Sequence, residues 1–200
     1  MIETARQRYL LKLDEINLLA GLLGEDAASD EPTRTEREAK EEFFDILLDM
    51  YGEGFAAAAY MLGETENGTA GAIFPERLTE AQRREITEKR YDGVSIGDKF
   101  TEHYENKDAA AMRDLVNSEA HRCYTLGSFD KTRLSGGVLI WKTVGDEKVR
   151  DTHWFIDGMR VKAGDYFYTF DGDYARFPGD FTKAENNANC RCWLAVTPEQ

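Results

Sequence analysis

The stretch Trp141–Gly158, WKTVGDEKVRDTHWFIDG, decides how this chain is read, together with Asn189-Cys190-Arg191-Cys192 near the C-terminus. Upstream of it the residues draw helical stripes, and from Gly137 onward β-branched and aromatic residues take over. Gly137–Val144 (GVLIWKTV) ends at a Gly145-Asp146 turn and predicts a strand. Lys148–Ile156 predicts a short helix closed by Asp157-Gly158. Val161 and then Tyr166–Phe170 predict two more strands, the second followed by Asp171-Gly172-Asp173. Phe177-Pro178-Gly179-Asp180 reads as loop, and Cys190–Val196 as a final strand.

Toward the N-terminus the period changes. Ile2, Ala5, Tyr9, Leu13, Ile16, Ala20 and Leu23 recur at steps of three and four, one apolar stripe on a helix stopped at Gly24. Glu25–Pro32 is acidic and proline-terminated and reads as a linker. Thr33 with Glu36, or Thr35 with Glu38, forms a capping box for a second helix running to Met61 or Leu62. Gly52 and Gly54 within it imply a bend or the close approach of another helix. Gly63–Arg77 reads as a loop. Thr79 with Gln82 caps a third helix through about Arg90, and Ile96, Phe100 and Tyr104 mark a fourth after the Asp92-Gly93 turn. Asp108 opens a fifth that ends at Gly127. Helices segregated from later strands predict an α+β fold, N-terminal helices followed by a small antiparallel or mixed sheet. The expected division is an acidic helical arm or subdomain over 1–78 and a C-terminal domain over 79–200.

The chain has 200 residues, 42% hydrophobic and 32% charged, enough to bury a core. No apolar run approaches the roughly 18 residues of a membrane span, and no membrane partner is expected. The start MIETARQRYLLKLDEI lacks the basic head and apolar centre of a signal peptide, so the chain is expected to stay where it is made. An odd three cysteines fit a reducing compartment. Of the net charge of −13, most lies in residues 1–66, with 16 acidic against 6 basic residues. Such a surface repels phosphate backbones, so direct DNA binding by this part is not expected.

Three kinds of site are open. Cys190, Cys192 and His153 supply three zinc-type ligands, with Cys123, His121 or Asp151 as a fourth. The one-residue gap between the cysteines is shorter than zinc sites usually show, and small core thiols beside a hydrogen-bonded histidine are the favoured reading. Arg150, Asp151, His153 and Asp157 have the composition of an acid–base site. With Asp146 they read better as a structural clasp fixing an irregular segment to the last strand, and no cofactor is expected from it. The clasp requires His153 to lie close to Cys190 and Cys192. For partners, Trp154 beside Phe155 is the best surface candidate, Trp141 and Trp193 being expected in the core. The first helix either packs as a hairpin on the second or docks on a partner through Tyr9, Leu13 and Ile16. Arg83, Arg84, Lys89 and Arg90 form a basic patch whose glutamate neighbours predict intrahelical pairs.

Trp141-Lys142-Thr143, Asp146, Val149-Arg150-Asp151-Thr152-His153, Asp157-Gly158, a Pro-Gly loop and Asn189-Cys190-Arg191-Cys192 follow in an order that resembles the phage Mu F-like family of minor capsid, or head morphogenesis, proteins. Asp92-Gly93-Val94-Ser95 is similar to the family's Gly-x-Ser, and the resemblance covers roughly Glu85–Val196. Asn117 and Ser118 stand where the family's Arg-Thr-Glu helix has arginine and threonine, so the chain departs from the pattern there. The resemblance implies a non-enzymatic procapsid component that binds the phage portal, capsid or scaffold proteins. It also implies location in the host cytoplasm during assembly and then in the virion, with a part in DNA packaging or ejection. The alternative is a phage-packaged enzyme or toxin, ADP-ribosyltransferase-like or a metal-dependent hydrolase, using Arg150, His153 and Asp157.

Overall fold

The structure, a computed structural model, describes residues 2–64 and 78–199. The expected loop beyond Glu64 and the side chains of Ile2 and Ala5 lie outside the described residues. The stripe of the first helix folds as α1 (Ile2–Ala28), with Tyr9, Ile16, Ala20 and Leu23 buried and Leu13 half-buried. Gly24 does not stop it. The site faces the carbonyl of Ala109, only 2.6 Å from where a Cβ would stand, so this glycine serves packing rather than termination. The linker shrinks to Ser29–Thr35, where Asp26 accepts hydrogen bonds from the Thr33 backbone N–H (2.8 Å) and hydroxyl (2.6 Å).

α2 (Glu36–Met61) starts with the Thr35/Glu38 box, one of the two expected registers. α3 (Glu80–Thr87) starts with the Thr79/Gln82 box and ends before Arg90. The chain turns there because β1 (Arg90–Tyr91) pairs with β2 (Val94–Ser95) around Asp92 and Gly93, both at positive φ (52° and 84°) as a two-residue hairpin turn requires. Arg84 pairs with Glu80 at 3.2 Å along α3, as expected of the basic patch, whereas Lys89 and Arg90 lie beyond the helix and Arg90 donates to the Gly93 carbonyl at 2.6 Å. Ser95 caps α4 (Ile96–Glu105) and Asp108 caps α5 (Ala109–Leu134).

α5 is the central element: α2 and α1 both pack along it, α2 most extensively, with α4 beside them. The hairpin expected of α1 on α2 is therefore replaced by α1 on α5. α5 also runs seven residues past Gly127. A Cβ on Gly127 would lie 2.0 Å from the Tyr51 carbonyl oxygen, and one on Gly54 would lie 1.8 Å from that of Tyr124. The two backbones touch, and Ser128 donates to the Gly54 carbonyl at 2.9 Å. Of the two meanings expected for Gly54, close approach is the one realised.

The remainder is a small antiparallel region, so the fold is α+β. β3 (Val138–Lys142) leads through α6 (Asp151–Ile156) to β4 (Arg160–Lys162), then to the hairpin β5 (Phe167–Tyr168) and β6 (Tyr174–Ala175). A single turn, α7 (Ala184–Asn187), precedes β7 (Trp193–Thr197). The three-stranded sheet has the order β4-β3-β7, with Trp141 opposite Leu194 and Lys142 opposite Trp193. Trp141 and Trp193 are buried, as the strand pattern predicts. One hydrophobic cluster runs from Tyr9 through Phe43 and Val116 to Trp141 and Val196, so packing crosses the expected division at residue 78 without a break.

Replacing Gly54 or Gly127 by alanine drives a methyl group into a backbone carbonyl and is expected to cost about 3 kcal/mol or more in chemical denaturation. Gly21→Ala in α1, where nothing lies within 4 Å, is expected to stabilise by about 0.5–1 kcal/mol. Equal effects at the two kinds of glycine would disprove the touching helices.

Candidate functional site

Arg150 precedes α6 in extended conformation, and His153 and Trp154 return backbone N–H bonds to its carbonyl (3.0 and 2.9 Å). This single turn aims His153 inward and Trp154 and Phe155 outward. At its other end the Asp157 carboxylate accepts the Thr143 N–H at 2.7 Å. Gly158, at φ 79°, donates to the Trp141 carbonyl at 2.8 Å, which locks α6 onto the end of β3.

His153 is 1% exposed. Its ring stacks on Phe181 (centroids 5.1 Å, 17°) and meets Trp141 edge-on (5.7 Å, 74°). Nδ1 lies 3.3 Å from Cys192 Sγ and 3.7 Å from Cys190 Sγ. The three donor atoms all lie within 4.8 Å of one another, and all three residues are buried. The cysteines are not on the strand as expected. β7 begins only at Trp193, and Asn189 at φ 51° turns the chain just before them. Beside Cys192 and the His153 ring, the Cys190 thiol is held well below the usual range, and that of Cys192, beside Cys190 and buried, is raised. Cys123, His121 and Asp151, the expected fourth ligands, are not part of this group. Burial pushes the Cys123 thiol up to about 12, and Asp151 is exposed in the first turn of α6.

The clasp residues are placed differently from one another. Asp146 pairs with Arg191 through two parallel bonds of 2.7 and 2.8 Å that hold its carboxyl below the ordinary range. The Arg150 guanidinium donates to the Ala188 carbonyl. Thr152 donates to Asn186 at 3.1 Å. Asp151 makes no side-chain bond among the described residues, so the clasp as expected loses that member.

The strongest correction concerns α1. Of the expected docking residues, Tyr9 and Ile16 are buried within the chain and Leu13 is half-buried, because α1 is held against the cysteine segment. The Tyr9 hydroxyl lies within hydrogen-bond reach of the Arg191 (3.0 Å) and Cys192 (3.3 Å) carbonyls. His121 donates from Nε2 to the Cys192 carbonyl at 2.7 Å, an acceptor that fixes the proton on that nitrogen. The exposed apolar face of α1 is a different one, Leu11, Leu18 and Leu22. Trp154 (45% exposed) and Phe155 (57%) do face outward, and Phe170 packs edge-on against Phe155 at 5.7 Å. Tyr166, Tyr168 and Tyr174 form a neighbouring exposed group, with Tyr166 and Tyr174 edge to face at 5.3 Å.

Sequence reasoning passed over Asp173. It is 1% exposed and gathers the loop from both sides, accepting from the Tyr174, Thr182 and Lys183 N–H groups, the Thr182 hydroxyl and the Asn186 amide at 2.6–3.2 Å. Burial raises its carboxyl, and the bonds from Asn186, Thr182 and the backbone outweigh this and lower it overall. The one visible signal was an aspartate just after a Gly turn, with Thr182 and Asn186 following. Buried Glu119 and Arg122 were likewise seen only as part of a helix. Arg122 donates to Glu119 at 2.7 Å and to the Ile86 carbonyl at 2.9 Å, and Tyr91 donates to Glu119 at 2.7 Å. An open groove of about 380 Å³ beside this pair, lined by Tyr91, Lys99, His103, Glu119, Arg122 and Asn187, lies away from His153.

Because the folded pKa of Asp173 is lowered, its contribution to stability is complete above the ordinary carboxylate value of about 3.9 and is lost as pH falls toward the folded value. Asp173→Asn is expected to cost about 3 kcal/mol at neutral pH and to flatten the acid limb of the stability–pH curve below about pH 4. An unchanged acid limb in denaturation series would rule this out. Comparison with known proteins gave no match: no family model, no curated protein and no solved structure corresponds to this chain.

Proposed function

We propose that this chain is a non-enzymatic minor capsid protein of a tailed phage, acting in procapsid morphogenesis by binding the portal or capsid proteins. It works in the host cytoplasm during assembly and then inside the virion or at the portal vertex. The reading starts from the motif order between Trp141 and Cys192. The observation that carries it furthest is the direction of the side chains along α6. His153 is enclosed by Trp141, Phe181 and the two thiols. Asp146 and Arg150 are used on Arg191 and Ala188. What the segment offers outward is aromatic: Trp154, Phe155 and Phe170. An exposed aromatic group on a short, firmly tied turn suits protein recognition, where tryptophan is a frequent anchor.

The alternative of a packaged transferase or hydrolase needs Arg150, His153 and Asp157 to converge on a polar cleft. A histidine packed against aromatic rings and 1% exposed has no room for a substrate, which counts against it. No described helix is long and apolar enough to cross a membrane.

Co-expression with the portal protein encoded beside it, followed by affinity capture, tests the reading. The wild-type chain is expected to co-purify with portal. Trp154→Ala with Phe155→Ala is expected to weaken capture roughly 100-fold, the size of two ordinary hot-spot losses, with an unchanged melting temperature. Absence of co-purification together with normal capsids after gene deletion would overturn it.

A further inference from the structure

We propose that His153 Nδ1 and the thiolates of Cys190 and Cys192 hold one zinc ion that staples α6 to the segment entering β7. The first argument is distance. Zinc bonds of about 2.3 Å to sulfur and about 2.05 Å to nitrogen at tetrahedral angles set S···N edges of about 3.6 Å and an S···S edge of about 3.8 Å. The observed S···N distances are 3.3 and 3.7 Å, and the three donors lie within 4.8 Å of one another. The two S···N edges need only tenths of an ångström of adjustment. The close Cys-x-Cys spacing is accommodated because the turn at Asn189 takes both cysteines off the strand.

The second argument is the histidine itself. Nδ1 meets both thiols, while Nε2 is buried without a hydrogen-bond partner among the described residues. The ring turns Nδ1, a lone pair in one neutral tautomer, toward both sulfurs, the orientation a ligating imidazole needs, and Nε2 then carries the proton.

The third argument is charge. Two thiolates and a neutral imidazole around a divalent ion sum to zero, the balance a site walled by Trp141 and Phe181 requires. A monovalent soft ion would leave a net negative charge there, so zinc fits better than copper(I). Entry of the ion displaces the two thiol protons to solvent, and no electron transfer is involved.

The backbone that carries the ligands is held independently of any ion. Tyr9 and His121 both bond the Cys192 carbonyl, and Asp146 clamps Arg191 between the two cysteines. A small cavity lined by Val144, Arg150, Asn189 and Arg191 adjoins His153 and Cys192, with room for about one water that would complete four-coordination. Three protein ligands that are already positioned then need little ordering to bind. The staple joins residues about forty apart in sequence and stands whether or not the chain enters a capsid.

The test is metal content of chain purified under reducing conditions without chelators, exposed to excess zinc and gel-filtered. About one zinc per chain is expected, and Cys123→Ser is expected to leave it unchanged. Cobalt(II) titrated into metal-free protein is expected to give tetrahedral d–d absorption with thiolate-to-metal charge-transfer bands, saturating at one equivalent. Cys190→Ser with Cys192→Ser is expected to abolish both. Less than about a tenth of an equivalent of zinc in wild-type protein, cobalt spectra without thiolate bands, or zinc retained by the double variant would each overturn the site. So would a Cys190–Cys192 disulfide found by mass spectrometry in reduced preparations. Should the double variant fail to fold, the wild-type cobalt titration decides by itself.

Discussion

At Cys192 three distant parts of the chain meet on one residue. Its carbonyl bonds Tyr9 from α1 and His121 from α5, while its thiol faces His153 from α6. These contacts join the helical layer to the small sheet at the point where β7 begins. The sheet has only three short strands, so its own ladder supplies little cooperativity, and its order depends on what is packed against its ends. Tyr9 also stacks on Trp193 (6.1 Å, 26°) and lies tilted against Tyr124 (5.4 Å, 45°), so the same contact region joins the apolar core to the polar ties.

The second constraint is the touching of α2 and α5. Helices approach to backbone contact only where side chains are absent, and Gly54 and Gly127 provide that on both partners. The approach brings Tyr51 within reach of Asp130 (2.9 Å), an aspartate 5% exposed on the far half of α5. Burial raises the Tyr51 hydroxyl, which keeps it a donor. α5 can then carry polar groups on almost every side, because each is met by a different element: Glu119 by Tyr91, His121 by the Cys192 carbonyl, Thr125 by the Pro178 carbonyl and Ser128 by Gly54. Groups such as these are tolerated inside only when their bonds are made, and each bond also fixes the neighbour that makes it.

The same economy runs through the charged stretch between Trp141 and Gly158. Asp146, Arg150 and Asp157 each reach a group on another segment, and together they place α6 against β3 and the turn before β7. The outer face of α6 is thereby free to be apolar. Phe155 against Phe170, with Trp154 exposed on the same short helix, forms an aromatic surface on a firmly tied base.

By itself the sequence determined the α+β class, the capping boxes at Thr35 and Thr79, the turn at Asp92-Gly93, the burial of Trp141 and Trp193, and the outward placement of Trp154 and Phe155. Those follow from periodicity, side-chain-to-backbone bonds and residues suited to positive φ, all of which act over a few positions. Only the tertiary structure decided what the buried faces touch. A stripe such as Tyr9-Ile16-Ala20 announces burial but not its partner, so a docking arm and a packed helix have the same pattern. Gly24 and Gly127 look like stops because helix propensity is local, whereas their use depends on a carbonyl from another element. Asp173 and the pair Glu119–Arg122 were invisible as buried groups because their partners lie on other loops and helices. His153 and the two thiols sit between these cases: their residue types marked them in the sequence, and the turn at Asn189 brings them within bonding range.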